Sequence, residues 1–502
     1  MNRKWMAALG AVAAGALAAG GYWYVDRELR AAADAGLQQI NAFYAARRLP
    51  PVTYERLETH VFSLAVTLYD LRQKGAVNVS AGEQSVDSVI ASTRISKGRG
   101  NRIDMEFENA KLGSRTAVPT DGRDARMESV ITIAHERIDG FDLAALKTEG
   151  RLTDPFTWFD KIENRGIAAH FIVSGTVSDD EEQQIDFTAA EGGLEPVDGG
   201  LRRAFFKGIG LSTSSGLSVE IRSASVRLRP SDAFARMIEA TTQQMTPETA
   251  QALLPILADG GRALAGFAIE GLDLSIPGVA EPVRLDTASV DELNWRDGIL
   301  TDLAFHVDHL KLGLSTVDDG RALLEEAGIR EIDQSMNFGL HYAPDAGTLR
   351  LSPLTSTTEG LLAVSLSAGV DNLHLPKIGL ADVERPQAAQ MQLVAAAINA
   401  VPTPVSLRAQ DLGGLKKLVA ALAAQNGVSA DALAQEWSAM VRMQAGAMME
   451  PEAAERLADD VRAFLTGKPV LNVRVAPRRA LSFAAMTAMP PAQAVEVTSS
   501  AE

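Results

Sequence analysis

Six times along this chain, a strand-like alternation slips by one residue. From Leu362 to Val370, apolar side chains hold every second position, at Leu362, Val364, Leu366, Ala368 and Val370, the period of a half-buried strand. Asp371 and Asn372 intervene, and the apolar set resumes at Leu373 and Leu375, one residue out of phase. The same order recurs as Phe107-Glu108-Asn109-Ala110, Ile138-Asp139-Gly140-Phe141, Phe206-Lys207-Gly208-Ile209, Ile269-Glu270-Gly271-Leu272 and Val307-Asp308-His309-Leu310, each followed two residues later by Leu. Because the period is two, such a slip means either that the strand turns back or that a residue is inserted. A two-residue hairpin at Glu108, Asp139, Lys207, Glu270, Asp308 and Asp371 would need positive φ in its turn. A bulge would let the strand run on, bent and more twisted. The second arms are short, ending at Pro277, Ser315 or Pro376; unequal arms make poor hairpins, which favours the bulge. The units recur at irregular intervals of roughly 30 to 70 residues, unlike a solenoid with a fixed period. Both geometries predict an α+β fold with a large, twisted, bulged, mostly antiparallel sheet and covering helices.

Taken in order, the chain opens with Arg3 and Lys4 and an uncharged run from Trp5 to Val25, about the length that spans a bilayer as a helix. Trp5 suits the near interface, and Tyr22, Trp23 and Tyr24 the far one. Residues 1–25 therefore read as one N-terminal transmembrane helix. The alternative is a signal peptide cleaved near Ala16-Leu17-Ala18; both readings export the rest of the chain. Residues 26–49 form an amphipathic helix with Leu29, Ala33, Leu37, Ile40 and Phe43 or Tyr44 on one stripe, ended by Pro50 and Pro51. Residues 50–230 are β-rich, with Phe62, Leu64, Val66 and Leu68 alternating and a short helix from the Thr153-Asp154-Pro155 cap to near Gly166. Residues 231–264 read as a helical insertion, 265–382 as a second β-rich region with a short helix near Asp318 to Ile329, and 383–467 as helical, including Leu407 to Ala424. Residues 468–486 supply returning strands, at Val470 to Val475 and Leu481 to Met486. Residues 487–502, with Pro490, Pro491 and small polar side chains, read as a disordered tail.

Sixty-four acidic residues against 48 basic ones give a net charge of -16, which disfavours nucleic acid as a partner. The absence of cysteine excludes disulfides, thiolate metal sites and cysteine nucleophiles. His306-Val307-Asp308-His309 is the nearest approach to a metal motif, but two or three ligands on one short strand rarely close a site. His60, His135, His170, His341 and His374 have no partner in the sequence. Gly210-Leu211-Ser212-Thr213-Ser214-Ser215-Gly216 lacks the spacing of a nucleophile elbow and reads as a loop. Asp179-Asp180-Glu181-Glu182 reads as a solvated turn. Met440 and Met443, beside Trp437 and Val441, form an apolar helix face that suits a core better than a lipid groove. Asp459 and Asp460 with Arg456 and Arg462 look like surface pairs. No catalytic residue, cofactor or metal site follows from these patterns.

The anchor ending in Gly20-Gly21-Tyr22-Trp23-Tyr24, the amphipathic helix after it, and Val52-Thr53-Tyr54 through His60-Val61-Phe62-Ser63-Leu64 resemble the YdgA-type proteins. Those are poorly characterised bacterial proteins, and the resemblance implies a single-pass inner-membrane anchor with a periplasmic body. More loosely, Phe267-Ala268-Ile269-Glu270-Gly271-Leu272-Asp273-Leu274 is similar to strands of AsmA-like envelope proteins, whose curved sheets are associated with lipid transport or envelope assembly. The expectation is a non-enzymatic envelope protein that binds lipid or another apolar ligand in a curved sheet, or assists envelope assembly with an envelope-protein partner. A structural or partner-binding scaffold with a fully packed sheet is the alternative, and a hydrolase with dispersed catalytic residues the third. An open apolar trough separates the first from the second.

Overall fold

The computed structural model describes residues 3–46, 48–79, 82–100, 102–120, 123–142, 157–174, 183–231, 262–296, 299–316, 320–376 and 386–502. The chain forms two compact units, one of residues 1–218 and 225–263, the other of residues 219–224 and 264–502.

The first unit opens with α1 (Arg3–Ala46), one helix of 44 residues. The first proline is Pro50, so no missing donor breaks the rod, and the uncharged run and amphipathic stripe share it. Among the described residues, no helix is long and apolar enough to cross a membrane. The side chains of residues 1–24, including Trp5, Tyr22, Trp23 and Tyr24, lie outside the described residues. The spanning role of Trp5–Val25 therefore rests on the sequence.

Strands β1 (Val52–Thr53), β2 (Arg56–His60), β3 (Ala65–Val79), β4 (Gly82–Lys97), β5 (Ile103–Thr120), β6 (Arg123–Phe141), β7 (Lys161–Ser174), β8 (Gln183–Val197) and β9 (Leu201–Thr213) follow. Consecutive strands from β2 to β9 pair antiparallel, and β1 pairs with β3. β10 (Ser218–Leu228) gives residues 219–224 to the second unit. Two expectations are corrected here. Lys161–Ser174 is a strand, not the end of a short helix, because pairing to β6 and β8 on both edges overrides the local cap signal; the cap itself, Thr153-Asp154-Pro155, lies outside the described residues. Phe62 and Leu64 are not strand residues: Val61–Ser63 is a 3-10 turn, and Leu64 leaves it at φ 47°.

In the first unit the phase slips at Asn109 and Gly208 line up with two further left-handed residues into one crease, while the slip at Gly140 stands apart at the end of β6. Asp70, Asn109, Gly166 and Gly208, on β3, β5, β7 and β9, have φ of 52°, 50°, 61° and 59°. That left-handed region is open to Gly and tolerated by Asn and Asp. The register is continuous on both sides of each: Ser92↔Glu108 and Ile90↔Ala110, Glu108↔His135 and Ala110↔Ile133, His135↔Arg165 and Ile133↔Ile167, and so on to β9. The residues facing the left-handed positions are thus Ala91, Ala134 and Ala190. Larger side chains would not fit opposite: a Cβ on Gly166 would lie 2.9 Å from that of Ala134, and one on Gly208 3.0 Å from that of Ala190. A left-handed residue on odd strands and alanine on even ones carry the slip across seven strands. Leu68 and Leu71, or Phe107 and Ala110, therefore turn to one face although they are three positions apart, a spacing that a regular strand sends to opposite faces.

The second unit contains β11 (Leu264–Ser275), β12 (Val283–Arg296), β13 (Ile299–Gly313), β14 (Glu331–Ala343), β15 (Thr348–Thr358) and β16 (Leu362–Asp371), with α2 (Arg321–Glu326) between β13 and β14. These strands form an antiparallel ladder in chain order. Beyond α3 (Pro386–Asn399), β17 (Val401–Pro402) and β18 (Val405–Asp411) both pair with β16. The expected helix from Leu407 is thus corrected: Val405, Leu407 and Ala409 alternate with polar residues, and the first helical turn comes at Leu415. Helices α4 (Leu415–Gln425), α5 (Ala430–Gly446) and α6 (Pro451–Thr466) pack through Val419, Ala423, Leu433, Ala434 and Leu465. They cover one face of the sheet through Ala409, Phe464 and Leu471. Ser429 caps α5 by accepting from Ala432 N at 3.1 Å.

β19 (Val470–Pro477) returns to the sheet. Leu481 to Met486 does not add a strand; it leads into α7 (Phe483–Thr487), capped by Ser482. Residues 487–502 are an ordered end, with α8 (Pro491–Ala494) and β20 (Val495–Ala501) paired to β19 from Leu471↔Ala501 to Pro477↔Val495. The reason is tertiary: Asp460 of α6 accepts from Ser499 Oγ at 2.6 Å and from Ala501 N at 3.1 Å, so Asp460 docks the last strand and is not a surface ion pair. Met440 and Met443 are 44% and 72% exposed, not core, because α5 turns Leu433, Ala434, Trp437 and Ser438 inward instead.

Candidate functional site

In the first unit the crease and α1 enclose an apolar trough. Its roof is the stripe Leu29, Ala33, Gly36, Leu37, Ile40 and Tyr44. Two adjoining cavities, of about 420 and 300 Å3, lie between this stripe and the sheet, and Ile40, Ile95 and Met105 border both. Each falls in or near the range of roughly 300–1,000 Å3 common for small-molecule pockets. Leu68 and Leu71, Ile90 and Thr93, and Phe107 and Leu112 floor the smaller one, each pair straddling the crease. A regular strand would send one member of every pair to the opposite face.

Polar ties fix the roof at one stripe of α1. Asn41 donates through Nδ2 to Val52 O at 2.9 Å and accepts from Val52 N at 2.7 Å. Tyr54 OH donates to Asp34 Oδ1 at 3.0 Å, and the Thr59 hydroxyl donates to Asp26. Past the trough, Phe43 is buried against Tyr44 and Trp158, and burial raises the Tyr44 phenol above its usual range.

Polar side chains meet both cavities, with Arg72, Gln73, Ser88 and Thr93 at the smaller one. Lys97 and Arg102 border the larger one. Arg102 is held by Asp160 Oδ1 at 2.5 Å and by Gly140 O, while Lys97 has no hydrogen bond or ion pair among the described residues. Thr93, 2% exposed, borders the smaller cavity with its Oγ1 buried and without a hydrogen-bond partner. Level with it across the sheet stand Phe107, Glu136 and Asn164. Burial pushes the Glu136 carboxyl above the usual carboxylate range, and Asn164 Oδ1 is buried and unpartnered. Unpaired buried polar atoms are costly, so this row weakens the sheet locally.

The six slip positions are sites of geometry and ion pairing. The residue after each, Asn109, Gly140, Gly208, Gly271, His309 or Asn372, has positive φ, and none of the units joins two paired arms. β5, β9, β11 and β13 run on through their units; β6 and β16 end at theirs. Glu108 and Lys207 are the ends of a ladder beside the crease, Glu108↔His135↔Arg165↔Glu191↔Lys207, with Lys207 Nζ 2.9 Å from Glu191. Asp139 meets Arg137 at 2.8 Å, Asp308 meets His306 at 2.5 Å, and Asp371 meets Arg350 at 2.5 Å. Glu270 accepts from Ser223 Oγ at 2.9 Å.

Folding supplies the histidine partners that spacing did not reveal. His135 lies 2.8 Å from Glu108, His170 2.6 Å from Asp186, His309 3.0 Å from Asp333 and His341 2.6 Å from Asp302. Each carboxylate comes from a neighbouring strand, so only the register could have identified it. Left-handed His309 turns to Asp333, away from His306 and Asp308, and the local metal reading dissolves. Glu106, Glu108 and His135 bring three ligand atoms within 4.8 Å of one another. Arg94 and Arg137 stand opposite Glu106, and Arg165 opposite His135; their positive charge opposes a divalent cation. The cluster is better described as cross-strand ion pairing. The acidic run Asp179-Asp180-Glu181-Glu182 lies outside the described residues, and Gly210–Thr213 belongs to β9, with the turn beginning at Ser214.

A family model described as "Uncharacterized protein" matches residues 355–500. This match fits a poorly characterised bacterial protein. It covers β16 to β20 and their helices, and carries neither the YdgA-type nor the AsmA-like description. No curated protein matches the chain.

Proposed function

We propose that the first unit binds the apolar part of a lipid-like amphiphile in the trough beneath α1, as a non-enzymatic protein of the bacterial cell envelope. The observation that carries this reading is the pair of adjoining apolar cavities of about 420 and 300 Å3, bordered by Lys97 at the larger and by Arg72 and the buried Thr93 hydroxyl at the smaller. Acyl chains suit the floor; an anionic head group suits Lys97.

Membrane attachment is part of the proposal. The run Trp5–Val25 anchors the chain in the inner membrane, with the body in the periplasm, and α1 continues from the bilayer into the trough. Leu29, the first lining residue, follows Val25 by about 6 Å of helix, which brings the trough to the level of the lipid head groups. Phe62 supports the same placement: it is 98% exposed on the turn just after Thr59, whose hydroxyl is bonded to Asp26, the first charge beyond the apolar run. An aromatic side chain there meets the interface.

Native mass spectrometry of the full chain released in mild detergent, followed by organic extraction, tests the reading. A stoichiometric lipid that survives detergent exchange and is lost from Gly36→Phe is expected. Equal lipid in wild type and Gly36→Phe would mean that it only solvates the anchor, and the scaffold reading would replace this one.

A further inference from the structure

The second unit carries a polar depression of about 410 Å3 on β16, β18, β19 and β20, on the sheet face opposite to that buried by α6. Two register levels build it. Arg408 stands opposite Asn472, and Ser406 opposite Arg474. The two arginines are therefore diagonal neighbours on one face, about 7–8 Å apart at the backbone and within reach of each other's ligands. Ser367 flanks the second level on β16, and Thr498 on β20. Leu407 and Val473 also border the depression, Val473 packing toward the α6 face, and the lining residues include no carboxylate.

Both arginines are exposed, and among the described residues neither guanidinium makes a hydrogen bond or ion pair. Arg284, Arg296, Arg350 and Arg478 of the same unit each meet a carboxylate within 3.1 Å, whereas Arg408 and Arg474 stand side by side on one face without one. In a chain of net charge -16, two adjacent cations left unneutralised point to an anion from outside. Guanidinium forks bind phosphate through paired donors. Hydroxyls donate and accept, and so match the hydroxyls of a polyol. Asn472 is already oriented, its Nδ2 donating to Glu502 Oε1 at 2.9 Å, which leaves its carbonyl oxygen as an acceptor.

We infer that this depression binds a phosphorylated polyol, with phosphate between Arg408 and Arg474 and the sugar or inositol hydroxyls on Ser367, Ser406, Thr498 and Asn472. The ligand chemistry is that of a free sugar phosphate or of a phosphorylated lipid head group. The site is independent of the trough, being formed wholly by the second unit.

Isothermal titration of the full chain in detergent with fructose 1,6-bisphosphate, inorganic phosphate and fructose reads it directly. The bisphosphate is expected to bind at least tenfold more tightly than inorganic phosphate, and fructose not measurably. Arg408→Gln and Arg474→Gln each weaken binding about tenfold or more, while Arg408→Lys, which keeps charge and loses the fork, falls between. Thermal unfolding of all variants matches wild type because both side chains are exposed. A parallel arm measures the full chain on phosphatidylcholine vesicles with and without phosphatidylinositol 4-phosphate. Retention that needs the phosphoinositide and disappears in the double Gln variant assigns the same chemistry to a head group. Failure of both the bisphosphate and the phosphoinositide to bind, or binding that the double variant keeps, overturns the inference.

Discussion

Filling the trough from its roof should strengthen the first unit while emptying it of ligand. Gly36 lies in α1, and a Cβ added there meets nothing within 4 Å. Gly36→Leu removes a helix-interior glycine, worth roughly 0.7–1 kcal/mol. Its side chain enters the 420 Å3 cavity, and half-burial contributes about 1 kcal/mol more, taking full burial as roughly 1.5–3 kcal/mol. A gain of about 2 kcal/mol in a unit of this size raises its melting temperature by about 4–8 °C. Differential scanning calorimetry should be run on delipidated protein, since a bound ligand stabilises the wild type by mass action and would offset the gain. The same variant, purified without delipidation, should carry no stoichiometric lipid. A lower melting temperature would refute the reasoning about space, because it would mean that the helix and sheet already meet at Gly36. A raised melting temperature with undiminished lipid would leave the cavity real but not the binding site.

Other outcomes follow from the same geometry. Asn109→Val places a strong strand former in a strand, yet should destabilise the first unit by about 1–2 kcal/mol, since a β-branched residue is strained at φ 50°; Asn109→Gly should be near neutral, and urea unfolding would separate them. Asn41→Ala removes both ties to Val52 and should cost about 1–3 kcal/mol, read as a lower urea midpoint. Glu136, whose burial raises its pKa, is disfavoured as an anion in the fold, so Glu136→Gln should raise the melting temperature at pH 7.5, with the gain shrinking as pH falls and lost only well below the unfolded carboxyl pKa of about 4.3, where the wild-type carboxyl is protonated in both states. His309 is raised by its hydrogen bond to Asp333. Its stabilisation is fully present below the unfolded imidazole pKa and is lost as pH rises through the folded one; His309→Gln should therefore flatten the second unit's stability between pH 6 and 8, and an unchanged slope would show that the pair is not coupled to folding.

The slip in the hydrophobic period was visible at six places, and its residue types, Asn, Gly and His after an acidic or basic residue, belong to a left-handed backbone. Two further members escaped notice because their flanks differ: Tyr69-Asp70-Leu71 and Arg165-Gly166-Ile167. The alanines opposite, Ala91, Ala134 and Ala190, were invisible, since an alanine means nothing until the register sets it against a left-handed neighbour. The final strand was misread for a related reason. Val495-Glu496-Val497-Thr498-Ser499-Ser500 has modest strand character alone, and becomes a strand through β19 on its edge and Asp460 behind it. The trough needed both kinds of information: the stripe Leu29, Ala33, Leu37 and Ile40 was evident, but not the empty space beneath it.

By itself, the sequence determined what depends on neighbours in the chain: the long helix without proline, the alternation of most of the strands, and the positions where that alternation had to slip. Period and backbone conformation are local, because φ and ψ are restricted residue by residue. The tertiary structure decided everything that depends on register between strands: the alignment of slips into a crease, the carboxylates beside His135, His170, His309 and His341, the convergence of Arg408 and Arg474, and the cavity between α1 and the sheet. A shift of one residue between two strands would preserve every local pattern and abolish each of these, which is why none of them could be read from the chain in one dimension.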